Sequence, residues 1–409
     1  MLRIITGRAG SGKTALIMDE IRARVAAGEG GTVLIVPEQF SHEAEREAAR
    51  SAGPGMSLYA EVLSFTGVAR RVEAELGPGG RSALSGGGRL LCMALALESV
   101  YSRLHVYARA RRSAEAQLEL LRALDELAAA EIGPEQLEEA AARTPGALGE
   151  KLRDLALIMA AFSAAVGSER IDSADRLSQL AERLPYSGFA RDGTVYIDGF
   201  TDFTAQEKRI IEQLLDRADV TLCLTLDSLE GGSELFELSR ATARALMRHA
   251  AAGGIPCRTE SLEPPEASPM DTLAEQLLSF PARSFDAAGR IRLRRARNLN
   301  EECEFAAAEA LRFARAGCRW RDIAVAVRGF EDYRGALTAA FERAGVPLFI
   351  ARQVDITQKP LPTLIASAYE AVIGGWEQGD VFSYLRTGLA GLEPGECDEL
   401  ENYCFTWGI

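Results

Sequence analysis

Eight residues near the start of the chain, Gly7-Arg8-Ala9-Gly10-Ser11-Gly12-Lys13-Thr14, have the types and spacing to hold a triphosphate. They satisfy G-x-x-x-x-G-K-[ST]. Glycines let successive backbone N–H groups turn inward around phosphate oxygens, and the N-terminus of a following helix adds its dipole and unpaired donors. In that arrangement Lys13 reaches the β- and γ-phosphates and the Thr14 hydroxyl ligates Mg²⁺. The chemistry implied is binding of ATP–Mg²⁺. In any turnover, Lys13 and the metal would stabilise charge on the transferred phosphoryl group.

Such a site needs an acid at the end of a neighbouring strand to hold the magnesium shell. Asp198, directly after Val195-Tyr196-Ile197, is the candidate. An Asp at the carboxyl end of a parallel strand faces the crevice where ligands bind. Motor ATPases also need a base or water-positioning group beside that acid, and here the next residue is Gly199, which has no side chain. Asp202 and Gln206 lie further on, and one of them would have to orient the water. The residues provide for binding more completely than for turnover.

The elements that must position these groups are legible from hydrophobic pattern. Residues 2–6 read as a strand feeding the glycine turn, 14–27 as a helix ending at Gly28, and Thr32 to Val36 as a buried parallel strand before Pro37. Strand, helix, strand is the βαβ unit. Residues 42–50 read as a second helix, and Leu58 to Val72 as a short strand passing into a helix. Pro78 to Gly88 reads as a glycine-rich crossing. Arg89 to about Leu184 is helical, broken near Gly133-Pro134 and Pro145-Gly146, and is read as an insertion in an α/β domain. The strand–helix alternation then returns at 195–197, 206–216 and 220–225, and a proline-rich connector is expected over 256–269. Further strands are expected at 291–296, 323–327 and 346–350, with helices at 301–316 and 333–344. Residues 360–409 turn helical again, and the chain is expected to be part of something longer.

Composition bounds the class. At 409 residues the chain exceeds one core, and its apolar fraction of 47% is ordinary for a globular protein. No run approaches a membrane span or a signal peptide, so a cytoplasmic location is expected. Cys92, Cys223, Cys257, Cys303, Cys318, Cys397 and Cys404 are scattered, without metal-ligand spacing. A net charge of −13 argues against a uniformly nucleic-acid-binding surface but leaves room for a local one. Two basic runs stand out: Arg103, Arg109, Arg111 and Arg112 with His105 among them, and Arg290, Arg292, Arg294, Arg295 and Arg297. Each, taken alone, reads as a solvated face.

Several segments together resemble the superfamily 1 helicase fold of the UvrD/Rep type, specifically the AddB subunits of bacterial AddAB helicase–nucleases. Asp198-Gly199-Phe200-Thr201-Asp202-Phe203-Thr204-Ala205-Gln206 is similar to the family's second motif, where Asp-Glu-Phe-Gln-Asp is usual. Val62 to Arg71 resembles a segment that contacts single-stranded DNA, and Val36-Pro37-Glu38-Gln39 stands at another motif position. Glu301-Glu302 and Asp322 to Arg328 look like the opening of a second motor domain, with Arg343 to Pro347 in the same region. Tyr384 to Leu389 and Asp398 to Tyr403 are close to AddB in wording.

The resemblance implies a P-loop NTPase α/β fold. A first RecA-like domain would occupy 1–80 and 185–285, and a large helical insertion 81–184. The start of a second RecA-like domain would occupy 286–355, and the start of a second helical insertion 356–409. It implies DNA contacts at Ser64, Phe65, Arg70 and Arg71, and a phosphate contact from Arg328. It also implies an AddA-like partner in a heterodimer, DNA ends and single strands as ligands, and break processing for recombination. A nuclease domain with a 4Fe-4S cluster would lie beyond this chain. Departures also show: Gly199 replaces a Glu, Leu226-Asp227-Ser228-Leu229-Glu230 replaces Gly-Asp-x-x-Gln-Ser, and no glutamine precedes Leu2 to read adenine. An ATP-binding scaffold is therefore expected. An active ATPase, a scaffold partner with a vestigial loop and an unrelated P-loop kinase remain alternatives.

Overall fold

The computed structural model describes residues 1–53, 55–77, 82–167, 170–172, 176–263, 269–276, 280–281, 283–350, 356–357 and 359–408. The chain divides into two compact units, Met1–Arg290 and Ile291–Ile409.

The first unit is built on a six-stranded sheet of β1 (Leu2–Gly7), β2 (Thr32–Ile35), β3 (Ala60–Leu63), β6 (Thr194–Ile197), β7 (Asp219–Thr225) and β8 (Cys257–Ser261), in the order β3-β2-β6-β7-β1-β8. A two-residue pair, β4 (Ser82–Ala83) with β5 (Arg170–Ile171), stands apart from it. Every pairing of the large sheet is parallel. The register sets Gly7 opposite Thr225 and Ile35 opposite both Leu63 and Ile197, so the carboxyl ends gather along one edge.

Strand side chains alternate between two cores, which is why these strands are nearly continuously apolar. Leu2, Ile4, Val33, Ile35, Val195, Ile197, Leu222 and Leu224 face one core with α4 (Phe65–Leu76), α9 (Arg176–Arg183), α10 (Ala205–Leu215) and α11 (Glu237–Ala252). Ile5, Leu34, Val36, Tyr196 and Cys223 face the other, with α1 (Lys13–Ala27), α2 (Ser41–Ala52) and α3 (Met56–Tyr59). Between β3 and β6 the chain forms α5 (Gly86–Val100), α6 (Ala114–Ala129), α7 (Pro134–Arg143) and α8 (Ala147–Val166), which share a core of their own around Met93, Leu97, Leu120 and Ile158. The breaks fall at Gly133-Pro134 and Pro145-Gly146, as the sequence predicts. Residues 78–81 of the expected glycine-rich crossing, and 264–268 of the expected connector, lie outside the described residues.

Two expectations are corrected. The segment read as connector contains β8, which pairs with β1 from Leu2 opposite Cys257 to Thr6 opposite Ser261. Its sequence, Cys-Arg-Thr-Glu-Ser, is an exposed edge strand with polar faces, so apolar alternation does not mark it. In the second unit, α13 (Leu299–Arg315) packs on α14 (Phe330–Arg343) through Cys303, Ala307, Ala310, Leu337 and Phe341. The segments 291–296, 323–327 and 346–350 are not ladder-paired strands among the described residues. Leu293 and Phe349, which a two-sided parallel sheet would bury, are solvent-exposed. Side-chain propensity marked these segments, but propensity does not supply a hydrogen-bonding neighbour. After the preceding α12 (Pro269–Gln276) of the first unit, the remaining helices are α15 (Pro360–Ile373), α16 (Gln378–Leu385) and α17 (Pro394–Trp407).

Candidate nucleotide-binding site

The glycine-rich loop joins β1 to α1 at the carboxyl edge of the sheet, where β1 sits inside the strand order rather than at its end. Ligands in open parallel sheets bind along this edge. Gly7 is required by close approach: a Cβ there would lie 2.4 Å from Ser11 Oγ and 2.5 Å from the Leu262 carbonyl oxygen. Gly12 caps α1 in the left-handed region at φ 89°, with no side-chain cap, so first-turn N–H groups point outward undonated to a cap. Arg3 fastens the strand to the helix and to β8, donating to Glu20 Oε1 at 2.7 Å and Glu260 Oε2 at 2.8 Å.

Lys13 is buried and its ammonium donates to the carbonyls of Gly7 at 2.7 Å and Arg8 at 2.8 Å, and to Ser11 Oγ at 3.4 Å. Burial pushes this amine below its ordinary range, and its electrostatic interactions with Cys223 and Asp198 oppose that shift. Thr14 Oγ1 donates to Asp198 Oδ2 at 2.6 Å. Two side chains 184 positions apart therefore meet across the intervening strand β7. Asp198 is anchored by its own N–H to the Ile35 carbonyl at 3.0 Å. Arg8 Nη1 is buried and makes no hydrogen bond. Ala9 and Gly10 are exposed at the loop's crest.

These groups fit a magnesium-bound triphosphate. The loop offers backbone donors and a buried amine, Arg8 has an unspent guanidinium nitrogen, and the hydroxyl–carboxylate pair is an oxygen donor set of the kind Mg²⁺ takes.

Residues 4–275 match the family described as ADDB, N-terminal. The chain belongs to this family. Its curated relatives are named as ATP-dependent helicase/deoxyribonuclease subunits of the B type. They include proteins of Desulforudis audaxviator (35% identical), Moorella thermoacetica (35%) and Desulforamulus reducens (34%). Each match covers 100% of this chain and 37% of the relative, so the chain spans a little over a third of their length.

Within this AddB-family frame the remaining candidate residues fall in distinct places. Ser64 caps α4, accepting from the Gly67 N–H at 3.1 Å, and donates to Glu38. Thr66 also donates to Glu38, and Arg70 reaches its other oxygen at 3.4 Å. Hydrogen bonds from Ser64 and Thr66 hold the Glu38 carboxyl below its usual range, and Arg70 and Arg176 add to this. Phe65 does not present its ring to solvent. It is buried, edge-on to Phe200 at 5.5 Å and to Phe203 at 6.3 Å. Arg71 turns away from Arg70 toward Glu61 and lines a hollow of about 400 Å³ beside Gly31, Thr32 and Ala60, at the amino ends of β2 and β3.

Asp202 is engaged by Thr242 Oγ1 at 2.9 Å and Lys208 at 3.3 Å. Burial raises its carboxyl, but the Phe203 N–H, Thr242 and Lys208 outweigh it and hold the pKa low. Gln206 is buried and donates to Ser178 Oγ at 2.8 Å. Arg328 is exposed in the second unit, shortly before α14.

Gly199 has φ 83°, and a Cβ there would lie 3.3 Å from Pro37 Cδ. The missing carboxylate is thus built into the backbone, since a non-glycine residue in this region costs about 1–2 kcal/mol. Gly199→Glu is expected to lower stability by about that amount and to leave phosphate release at background. Urea melts and a phosphate assay check both; a rise in ATP turnover would contradict it.

Sequence reading marked the loop after β7 as a departure but missed how it is held. Leu226 N–H donates to the Gly7 carbonyl at 3.3 Å, which ties this loop to the phosphate-binding turn. Asp227 accepts from the Ser228 and Ser233 N–H groups at 2.8 and 2.7 Å and from Arg240 at 2.9 Å. Arg240, only 2% exposed, also pairs with Glu237 and donates to the Ser228 carbonyl at 3.0 Å. The only signal was an arginine on the inner face of an amphipathic helix, thirteen residues after an aspartate.

Proposed function

We propose that this chain is the nucleotide-binding, DNA-handling part of an ATP-dependent helicase/deoxyribonuclease subunit, acting on DNA ends in recombinational repair without being an autonomous motor. The observation that carries the nucleotide reading is the Thr14–Asp198 hydrogen bond beside the buried Lys13. The nucleotide's phosphates would be held by the N–H groups of Gly7 to Thr14 and by Lys13, with Mg²⁺ on Thr14 and Asp198. The metal would neutralise charge on the phosphates. Gly199, the bound Asp202 and the buried Gln206 support a ligand that stays rather than one that is consumed.

The DNA reading rests on family membership and on the Glu38–Ser64–Thr66–Arg70 cluster at the carboxyl ends of β2 and β3. Arg70 is exposed there and is suited to pair with a phosphate. An AddA-like partner in a bacterial cytoplasmic heterodimer and the four-part domain division at 80, 184, 285 and 355 belong to the same proposal.

The test is calorimetry of ATP with and without Mg²⁺ on the whole chain, with phosphate release followed in the presence and absence of single-stranded DNA. Magnesium-dependent binding without turnover is the expected result. DNA-stimulated turnover would overturn the scaffold reading in favour of a motor, and no binding would reduce the loop to a structural relic.

A further inference from the structure

The first basic run singled out in the sequence plays no part in the nucleotide site, yet the fold treats it with care. Tyr101–Arg103 and Ala108–Arg112 are two short 3₁₀ turns joining α5 to α6. Leu104 and Ala110 are driven into the helical core, which fixes the segment at two points. Asp154, only 1% exposed, accepts hydrogen bonds from the backbone N–H groups of His105, Val106 and Tyr107 at 2.7 to 3.1 Å. Gln117 holds the far end, donating to the Arg111 carbonyl at 3.0 Å. A buried carboxylate spent on three consecutive amides makes a rigid projection from a segment that would otherwise be a loop.

On that projection Arg103, Arg109 and Arg112 are exposed, and none makes an ion pair among the described residues. Arg111 pairs with Glu98 at 3.2 Å and covers the Tyr101 ring at 4.1 Å. In the second basic run Arg292 and Arg294 are spent on Glu309 and Glu301, while Arg290, Arg295 and Arg297 make no ion pair among the described residues; what sets the first run apart is the buried Asp154 that fixes its backbone. Three unspent guanidinium groups on a preorganised ridge, in a chain of net charge −13, form a local positive feature rather than part of a general one.

We propose that the ridge Arg103–Arg112 binds the phosphate backbone of duplex DNA, as a contact separate from the carboxyl edge of the sheet. Duplex is favoured over single strand because the ridge's exposed aromatic, Tyr101, has a face closed by Arg111, and single-strand binders need free aromatic faces for unstacked bases. Phosphate contact without base readout is the sequence-independent mode. The choice of DNA as the polymer rests on the function proposed above; the ridge itself does not involve the nucleotide site.

The experiment compares the whole chain with Arg103→Ala/Arg109→Ala/Arg112→Ala in fluorescence anisotropy on a mixed-sequence duplex across a salt series. A charge-matched control removes Arg22, Arg122 and Arg143, which are exposed and paired with Asp19, Glu119 and Glu139. The ridge variant is expected to lose on the order of 10- to 100-fold affinity near 0.1 M salt and to flatten the log–log salt slope by roughly 2 to 3. Arg103→Lys/Arg109→Lys/Arg112→Lys should recover most of the loss, and ATP affinity and the melting curve of the ridge variants should stay unchanged. Failure of ATP binding would therefore be visible separately from failure of the ridge. Equal loss in the control, or no loss in the ridge variant, overturns the proposal. So does a loss confined to binding of polyglutamate, which would mark a docking site for an acidic protein.

Discussion

Lys13→Ala is expected to weaken binding of magnesium–ATP by about a hundredfold or more, since each hydrogen bond from an ionised donor is worth about 1.5–3 kcal/mol. Calorimetry on the two proteins measures it directly. The same substitution should not weaken the protein in the absence of nucleotide. The Lys13 amine is buried against carbonyl oxygens, and its pKa is lowered by that burial. A lysine whose folded pKa lies below its ordinary 10.5 favours the unfolded chain while it is charged. Between the depressed value and 10.5 the unfolded state holds the extra proton, so stability of the nucleotide-free protein should rise with pH through that window. Lys13→Ala should abolish this rise. ATP should raise the melting temperature of the parent by mass action, about 2.7 kcal/mol at a hundredfold excess over Kd, and should leave the variant unmoved. A variant that binds ATP as the parent does would show that the lysine is only a brace for the loop.

How much of this was open to sequence reading depends on what each residue's neighbours had to be. The phosphate loop is local, so its spacing states its geometry, and the structure brings Thr14 within 2.6 Å of an aspartate singled out from the far side of the chain. Strands β1, β2, β6 and β7 are legible because most of their residues are buried on both faces, as Leu2, Ile4, Ile5 and Val33 to Ile35 are. The edge strand β8 is not, because one exposed edge and polar faces leave no apolar alternation. Phe65 shows the opposite failure. The resemblance implies a DNA contact at Phe65, while its partners Phe200 and Phe203 lie 135 and more residues away and cannot be seen from its own window. Thr66 and Glu38 were likewise invisible as a pair, because β2 and β3 are joined by register and not by spacing.

Gly199 and the loop after β7 make one argument together. The resemblance expects a Glu at the first position and Gly-Asp-x-x-Gln-Ser at the second. Here the first is a left-handed glycine against Pro37, and the second is closed on itself by Asp227 and Arg240. Both positions are held in place, the first by its left-handed backbone against Pro37 and the second by the contacts of Arg240. A nucleotide bound beside them would brace the unit without driving it.

Arg240→Ala tests that closure, and its expected cost is large. Removing one partner of a buried ion pair leaves an uncompensated charge and costs about 3–5 kcal/mol. In a unit of this size that is a fall in melting temperature on the order of 6–10 °C. The charge left behind is Asp227, whose carboxyl burial raises but which the Ser233 and Ser228 N–H groups and Arg240 hold below 3.8. A depressed carboxylate stabilises the fold above its unfolded pKa, and that contribution is lost as pH falls through the folded value. The parent should therefore lose stability below about pH 4, and Arg240→Ala should lose less there because part of the contribution is already gone. The substitution also releases the Ser228 and Ser233 carbonyls, so proteolysis should open the loop at 228–236 first. Because Leu226 joins this loop to Gly7, ATP affinity should fall as well, although Arg240 has no place in the phosphate site. A variant that melts as the parent does would mean that Glu237 and solvent suffice to satisfy the loop, and that Arg240 does not hold it closed.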